Sequence, residues 1–129
     1  MAATRLSRRQ RRGRRAERLV ARAYIHRGYE LIERNYCCRR GEIDLIVKKT
    51  NTIVFVEVRS AATGGPAPPA QTVGPVKQSR VIAAAQTWMA GRGVARHHLR
   101  FDVAGVIFSP WKRPSIDILE NAFTVTEQR

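Results

Sequence analysis

Between Gly41 and Arg59 the chain reads GEIDLIVKKTNTIVFVEVR, two runs of Ile, Leu and Val separated by the polar break Lys48 to Thr52. Runs of this kind on either side of a short polar break predict a β-hairpin. A two-residue turn at Thr50 and Asn51 sets Lys49 opposite Thr52, and strand alternation then fixes every other pair. Ile43, Leu45 and Val47 fall opposite Val58, Val56 and Val54 on a wholly aliphatic face, the expected core face. The other face carries Glu42 opposite Arg59, Asp44 opposite Glu57, and Ile46 opposite Phe55.

Elsewhere the period changes. From about Arg14 to Arg27, Ala16, Leu19, Val20, Ala23 and Tyr24 recur at helical spacing, and Gly28 supplies a stop. Tyr29 to Tyr36 reads as a short strand with Leu31 and Ile32 inward, followed by the basic turn Cys37 to Arg40. After the hairpin, Ser60 to Pro75 is rich in Gly, Pro and Ala without periodicity, which predicts a mobile loop. Val76 to Met89 is a second helix, opened by Pro75 and closed by Gly91, with Val76, Val81, Ala84, Ala85 and Trp88 as its buried side. Leu99 to Phe108 is a nearly continuous apolar strand suited to a sheet interior. Pro110 to Pro114 turns the chain, and Ser115 to Leu119 adds an edge strand. The order is helix, three strands, helix, two strands, an α/β sandwich with both helices on the sheet. The 129 residues suffice for one core. Residues 14–129 are expected to form one domain behind a flexible basic arm over residues 1–13.

Charge narrows the choice of partner. There are 24 basic residues against 10 acidic ones, a net charge of +14, and such an excess favours a polyanion, nucleic acid first. Seven arginines and no acid occur in residues 1–15. An anionic membrane competes for such a charge, but no amphipathic helix carries bulky apolar residues that would insert. With no apolar run of membrane-spanning length and no secretory leader, the expected location is the cytoplasm. Cys37 and Cys38 are adjacent and cannot make a disulfide framework. Neither they nor His26, His97 and His98 have zinc-site spacing. Aromatic residues are only 7% of the chain, which disfavours base stacking on single strands and favours duplex or branched DNA.

The facing acids of the hairpin carry the chemistry. Opposed like charges repel, so Asp44 and Glu57 either lie on a solvated face or share a divalent cation such as Mg²⁺, which takes a few carboxylates and keeps several waters. Glu17 on the first helix makes i,i+4 pairs with neighbouring arginines, unless that helix packs beside the acidic face. Lys77, Gln78 and Arg80 occupy the first two turns of the second helix, where backbone N–H groups already favour an anion.

GEIDLIV, then VFVEVR, KQSR opening a helix and RFDVAGV together resemble the YraN-like family of small bacterial proteins, over Arg14 to Phe108. That family is similar to the restriction-endonuclease-like fold, a mixed β-sheet flanked by helices that also holds Holliday junction resolvases. The resemblance implies a metal-dependent endonuclease acting on duplex or branched DNA, with Mg²⁺ or Mn²⁺ as cofactor. It implies Asp44 and Glu57 as metal-binding acids, the Val58 carbonyl as a further ligand, Glu17 as an additional acid, and Arg59 in place of the motif's basic residue. Arg8, Arg9, Arg11, Arg12, Arg39, Arg40, Lys77, Gln78 and Arg80 are the expected nucleic-acid contacts. Two departures stand out: Ile43 replaces the usual Pro, and Arg59 replaces the common Lys. A guanidinium stays protonated, so it can stabilise charge but cannot act as a general base. The alternative is a DNA- or RNA-binding protein that keeps the fold without cutting. Dimerisation would suit a symmetric branched substrate.

Overall fold

The computed structural model describes residues 5–63 and 73–124. Its elements are α1 (Arg8–His26), β1 (Glu30–Cys38), β2 (Gly41–Lys49), β3 (Thr52–Ala62), α2 (Pro75–Met89), β4 (His98–Phe108) and β5 (Ser115–Phe123). The strands form one sheet in chain order, β1-β2-β3-β4-β5. Only β3 and β4 pair in parallel, so a crossover must join them, and α2 lies in it. No helix among the described residues is long and apolar enough to cross a membrane.

The hairpin has the expected register. Lys49 faces Thr52, Val47 faces Val54, Ile46 faces Phe55 and Leu45 faces Val56, with Thr50 in the left-handed region at φ 51°. The paired ladder ends at Leu45 and Val56. There the Val58 N–H donates to Asp44 Oδ2 at 2.7 Å instead of to the neighbouring backbone.

Both faces of the hairpin are buried, not one. Leu45, Val47, Val54 and Val56 pack with Ala16, Val20, Ala21 and Tyr24 of α1. Ile46 and Phe55 pack with Val81, Ala85 and Trp88 of α2. Ile43, expected beside Leu45 and Val47, joins the α2 cluster instead. Its position lies beyond the last β2–β3 pair, opposite Tyr36 and next to Asn35, which adopts φ 50°.

Other departures have local causes. Helix α1 begins at Arg8, about two turns earlier than the apolar spacing shows, because Ser7 and Gln10 form a reciprocal capping box. Arg8, Arg9, Arg11 and Arg12 are therefore helical residues and not part of an arm. Gly28 does stop the helix, at φ 93°. Ile32 is exposed because β1 shifts register between Leu31 and Glu33. Ser60 to Ala62, assigned to the loop, continue β3, where they pair with Val106 to Phe108. The Gly- and Pro-rich core of that loop, residues 64–72, lies outside the described residues. Val76 is 72% exposed in the first turn of α2, and Ile82 takes its place in the core. Strand β5 runs on to Phe123, whose ring stacks on Phe101 at 5.1 Å.

Gly41 sits where the β1–β2 turn meets α2. A Cβ there would collide with the carbonyl oxygen of Arg80. Gly41→Ala is expected to destabilise the fold by about 1–3 kcal/mol, the range for overpacking a close contact. Denaturant unfolding checks this, and a loss below about 0.5 kcal/mol, the usual scale of surface changes, would mean that α2 yields freely.

Candidate active site

The strand that carries Glu57 is buried on both faces by the alternation of Val54, Val56 and Phe55. Glu57 follows the parity of Phe55, so it points to the α2 side, and only 4% of it is exposed. Its Oε1 pairs with Lys77 Nζ at 3.3 Å. Its Oε2 is buried, and among the described residues no hydrogen-bond donor reaches it. Asp44 lies across the gap where the β2–β3 ladder stops, held by the Val58 N–H. The two carboxyls are close enough to hydrogen-bond once one of them carries a proton.

Burial and the charge of Asp44 push Glu57 up to about 8, against the pull of Lys77. Asp44 is also raised, by burial first, while the Val58 N–H pulls it down. Both acids are raised, so near neutral pH the pair tends to hold one proton between them. A buried carboxylate oxygen without a donor beside a second acid has two natural occupants, a proton or a cation. Asp44 and Glu57 are the carboxylates here that could hold such an ion.

Glu17 is half-buried on α1, hydrogen-bonded to Asn35 and raised by burial and then by the charge of Asp44. It senses the pair without completing a cluster, since no group of three or more His, Cys, Asp or Glu residues comes together among the described residues. Arg59 is half-buried on β3 beside Gly105. Among the described residues, the cation paired with Glu57 comes from α2, as Lys77, and not from β3.

Lys77 links the pair to the surface. Its ammonium also lies 4.0 Å from Glu42 Oε1, and Glu42 and Lys77 line a cleft of about 530 Å³ together with Cys37, Cys38, Arg39, Arg40, Gly41 and Arg80. The Gly41 contact brings the β1–β2 turn against α2 and so builds this cleft. Arg40 is anchored by Gln86 Oε1 at 3.0 Å, leaving Arg39 and Arg80 as exposed cations at its walls. Gln78 is half-buried and donates from its side-chain amide to the Val73 carbonyl at 3.0 Å. The cleft thus gathers four of the expected nucleic-acid contacts: Arg39, Arg40, Lys77 and Arg80. Arg8, Arg9, Arg11 and Arg12 lie on α1, which packs on the other face of the sheet.

A second polar cluster is not foreseen by the hydrophobic pattern. Asp102 on β4 is fully buried. It accepts from Tyr24 Oη at 2.7 Å, Arg100 Nε at 2.9 Å and the Asn121 N–H at 3.0 Å. Arg100 also donates to Tyr29 Oη at 2.9 Å. Every oxygen of Asp102 is satisfied, so the cluster reads as a clamp joining α1, β4 and β5. The signal was available: an acid inside an otherwise apolar interior strand must find partners.

The profile of the uncharacterised protein family UPF0102 matches residues 16–106. A UPF0102 protein of Anaeromyxobacter dehalogenans is 42% identical over 111 residues, 86% of this chain and 82% of that protein. One from Clavibacter michiganensis is 39% identical over 110 residues, 85% of this chain and 93% of its own. One from Geobacter sulfurreducens is 38% identical over 112 residues, covering 86% and 87%.

Proposed function

Since the chain belongs to the uncharacterised protein family UPF0102, we propose its function from its own geometry: it binds nucleic acid and acts as a metal-dependent phosphodiesterase on duplex or branched DNA. One observation carries this reading. The buried Asp44–Glu57 pair is joined through Lys77 to a cleft walled by Arg39, Arg40 and Arg80, so an acidic centre adjoins a phosphate-attracting surface.

The orphaned Glu57 Oε2 beside Asp44 fits a divalent cation. Asp44, Glu57 and the Val58 carbonyl would hold Mg²⁺ or Mn²⁺, with Glu17 acting from further out. Such an ion, when bound, lowers the pKa of a coordinated water and offsets charge on a phosphate. The chain supplies the rest. The Val58 N–H fixes the orientation of Asp44. Lys77, half-exposed and 3.3 Å from Glu57, can turn from a carboxylate to a phosphate oxygen while the site stays charge-balanced. Arg39 and Arg80 hold flanking phosphates, which gives register on the backbone without reading sequence. Arg59 remains a fixed positive charge two residues beyond Glu57.

The test is cleavage of a duplex and a four-way junction in Mg²⁺ or Mn²⁺, with calorimetry of the ion alone. Asp44→Asn is expected to abolish the binding heat and lower cleavage about a hundredfold or more, the scale on which electrostatic contributors to such reactions act. If instead wild type and Asp44→Asn give the same heat, and the variant binds DNA more tightly with no change in cleavage, the protein is a nucleic-acid-binding module that keeps the fold.

A further inference from the structure

The cleft does not account for most of the positive charge. Helix α1 carries Arg8, Arg11, Arg15, Arg18 and Arg22 at steps of three and four residues, and all five are exposed. That spacing sets them in one row along the helix. The row is about 21 Å long at 1.5 Å per residue. Duplex DNA presents about a dozen phosphates over that length.

The row has no internal counter-charge. The single acid of α1, Glu17, is half-buried and turned to Asn35 and Asp44, and the first turn contains no acid. Among the described residues no ion pair involves Arg8, Arg11, Arg18 or Arg22. Arg15 lies over the Phe108 ring at 5.1 Å and is held against the sheet. Like charges one turn apart destabilise a helix, and arginines at its N-terminus oppose the macrodipole. The first fully buried residue is Ala16, so the first two turns gain little from packing. A helix built against its own electrostatics is suited to an external anion. One bulky apolar side chain, Ile25, is exposed at the end of the row, too little to anchor a bilayer, and the row's length and regular charge complement a phosphate backbone.

Its position gives the inference. Helix α1 covers the face of the sheet formed by Leu45, Val47, Val54 and Val56, whereas α2 and the cleft lie on the opposite face. We propose that the arginine row of α1 is a second duplex-binding surface, so that one chain holds two duplex segments, one on each side of its sheet. This rests on the nucleic-acid reading above and specifies its substrate as DNA in which two helical arms lie close together.

The experiment uses an immobilised 20-bp duplex and a second, fluorescent 20-bp duplex, at salt low enough for binding. Wild type is expected to capture the second duplex on the first. Arg8→Gln, Arg11→Gln, Arg18→Gln and Arg22→Gln combined should still bind one duplex but lose capture at least tenfold. Its salt slope for duplex binding should fall by about 3–4, close to one for each phosphate no longer neutralised. The same variant without DNA should melt at a higher temperature, because four repelling charges are gone, which verifies that it folds. Capture at wild-type level by this variant would overturn the proposal, as would an unchanged salt slope. Loss of binding only to phosphatidylglycerol vesicles would overturn it in favour of a membrane surface. If wild type binds no duplex at all, it is the underlying nucleic-acid reading that fails.

Discussion

Asp102→Ala is expected to cost about 3–5 kcal/mol of folding stability, the range for removing one partner from a buried charged pair. The substitution strands three donors at once: the Tyr24 hydroxyl, the Arg100 guanidinium and the Asn121 N–H. Arg100 is the costliest of these. Its protonated form is strongly favoured, chiefly by its hydrogen bonds to Asp102, and it is only partly exposed. The Asn121 N–H matters for a different reason. Between Phe101 and Val103 the β4–β5 register shifts, and Asn121 adopts φ 53°, so the Asp102 carboxylate satisfies a donor that the ladder leaves over. Tyr24→Phe removes one hydrogen bond and should cost only about 1 kcal/mol. The two variants separate the clamp from a simple contact. Equilibrium denaturation at pH 7 checks both, and a loss near 1 kcal/mol for Asp102→Ala would show that the network carries no more than its hydroxyl bond.

Glu57→Gln should behave in the opposite way, and its effect should depend on pH. In the folded chain Glu57 keeps its proton up to about 8, whereas the ordinary value is 4.5. Between these values the folded state binds one proton more than the unfolded state, so stability falls as pH rises. The contribution is fully present below the unfolded value and is lost as pH passes through the folded one. A shift of this size corresponds to about 5 kcal/mol at most, at 1.36 kcal/mol per pH unit. The amide carries no such charge, so Glu57→Gln should be more stable than wild type at pH 8.5 and equal to it near pH 4.5. Unfolding curves between pH 4.5 and 8.5 test this directly. If the pair holds the proposed cation, the same proton competes with it, so Mn²⁺ affinity should rise up to about tenfold per unit below pH 8 and level off above it. Parallel stability profiles for the two proteins would mean that Glu57 ionises freely in its pocket.

What could be read from the chain was whatever its neighbours in sequence decide. The turn at Thr50 and Asn51, the register of Leu45 with Val56 and the approach of Asp44 to Glu57 all follow from alternation over 19 residues. The second buried face was not legible that way. Ile46 and Phe55 look the same whether they meet water or a helix arriving after a crossover, and only the position of α2 decides. The charge partner of Glu57 was hidden for the same reason. Arg59 is two residues away in sequence, but Lys77 is the cation that reaches Oε1. The arginines before Ala16 gave no apolar period and read as an arm, because their helix is started by a cap at Ser7 and not by burial. Asp102 was the reverse case: its partner Tyr24 lies 78 positions away, although its isolation among Phe101, Val103 and Ala104 already demanded one.

The long parallel pairing of β3 with β4 dictates an order of assembly. On the flank away from β2, Thr52 to Ala62 pair with His98 to Phe108, so every rung there closes a segment of about 46 residues, a separation that slows folding. A nascent chain can form its first hairpin early, but one flank of β3, with Ile53, Val54, Phe55 and Val56, stays open until β4 has left the ribosome. Until then this strand carries an unpaired, apolar edge prone to association. The excess of arginine keeps such chains apart by mutual repulsion during that interval.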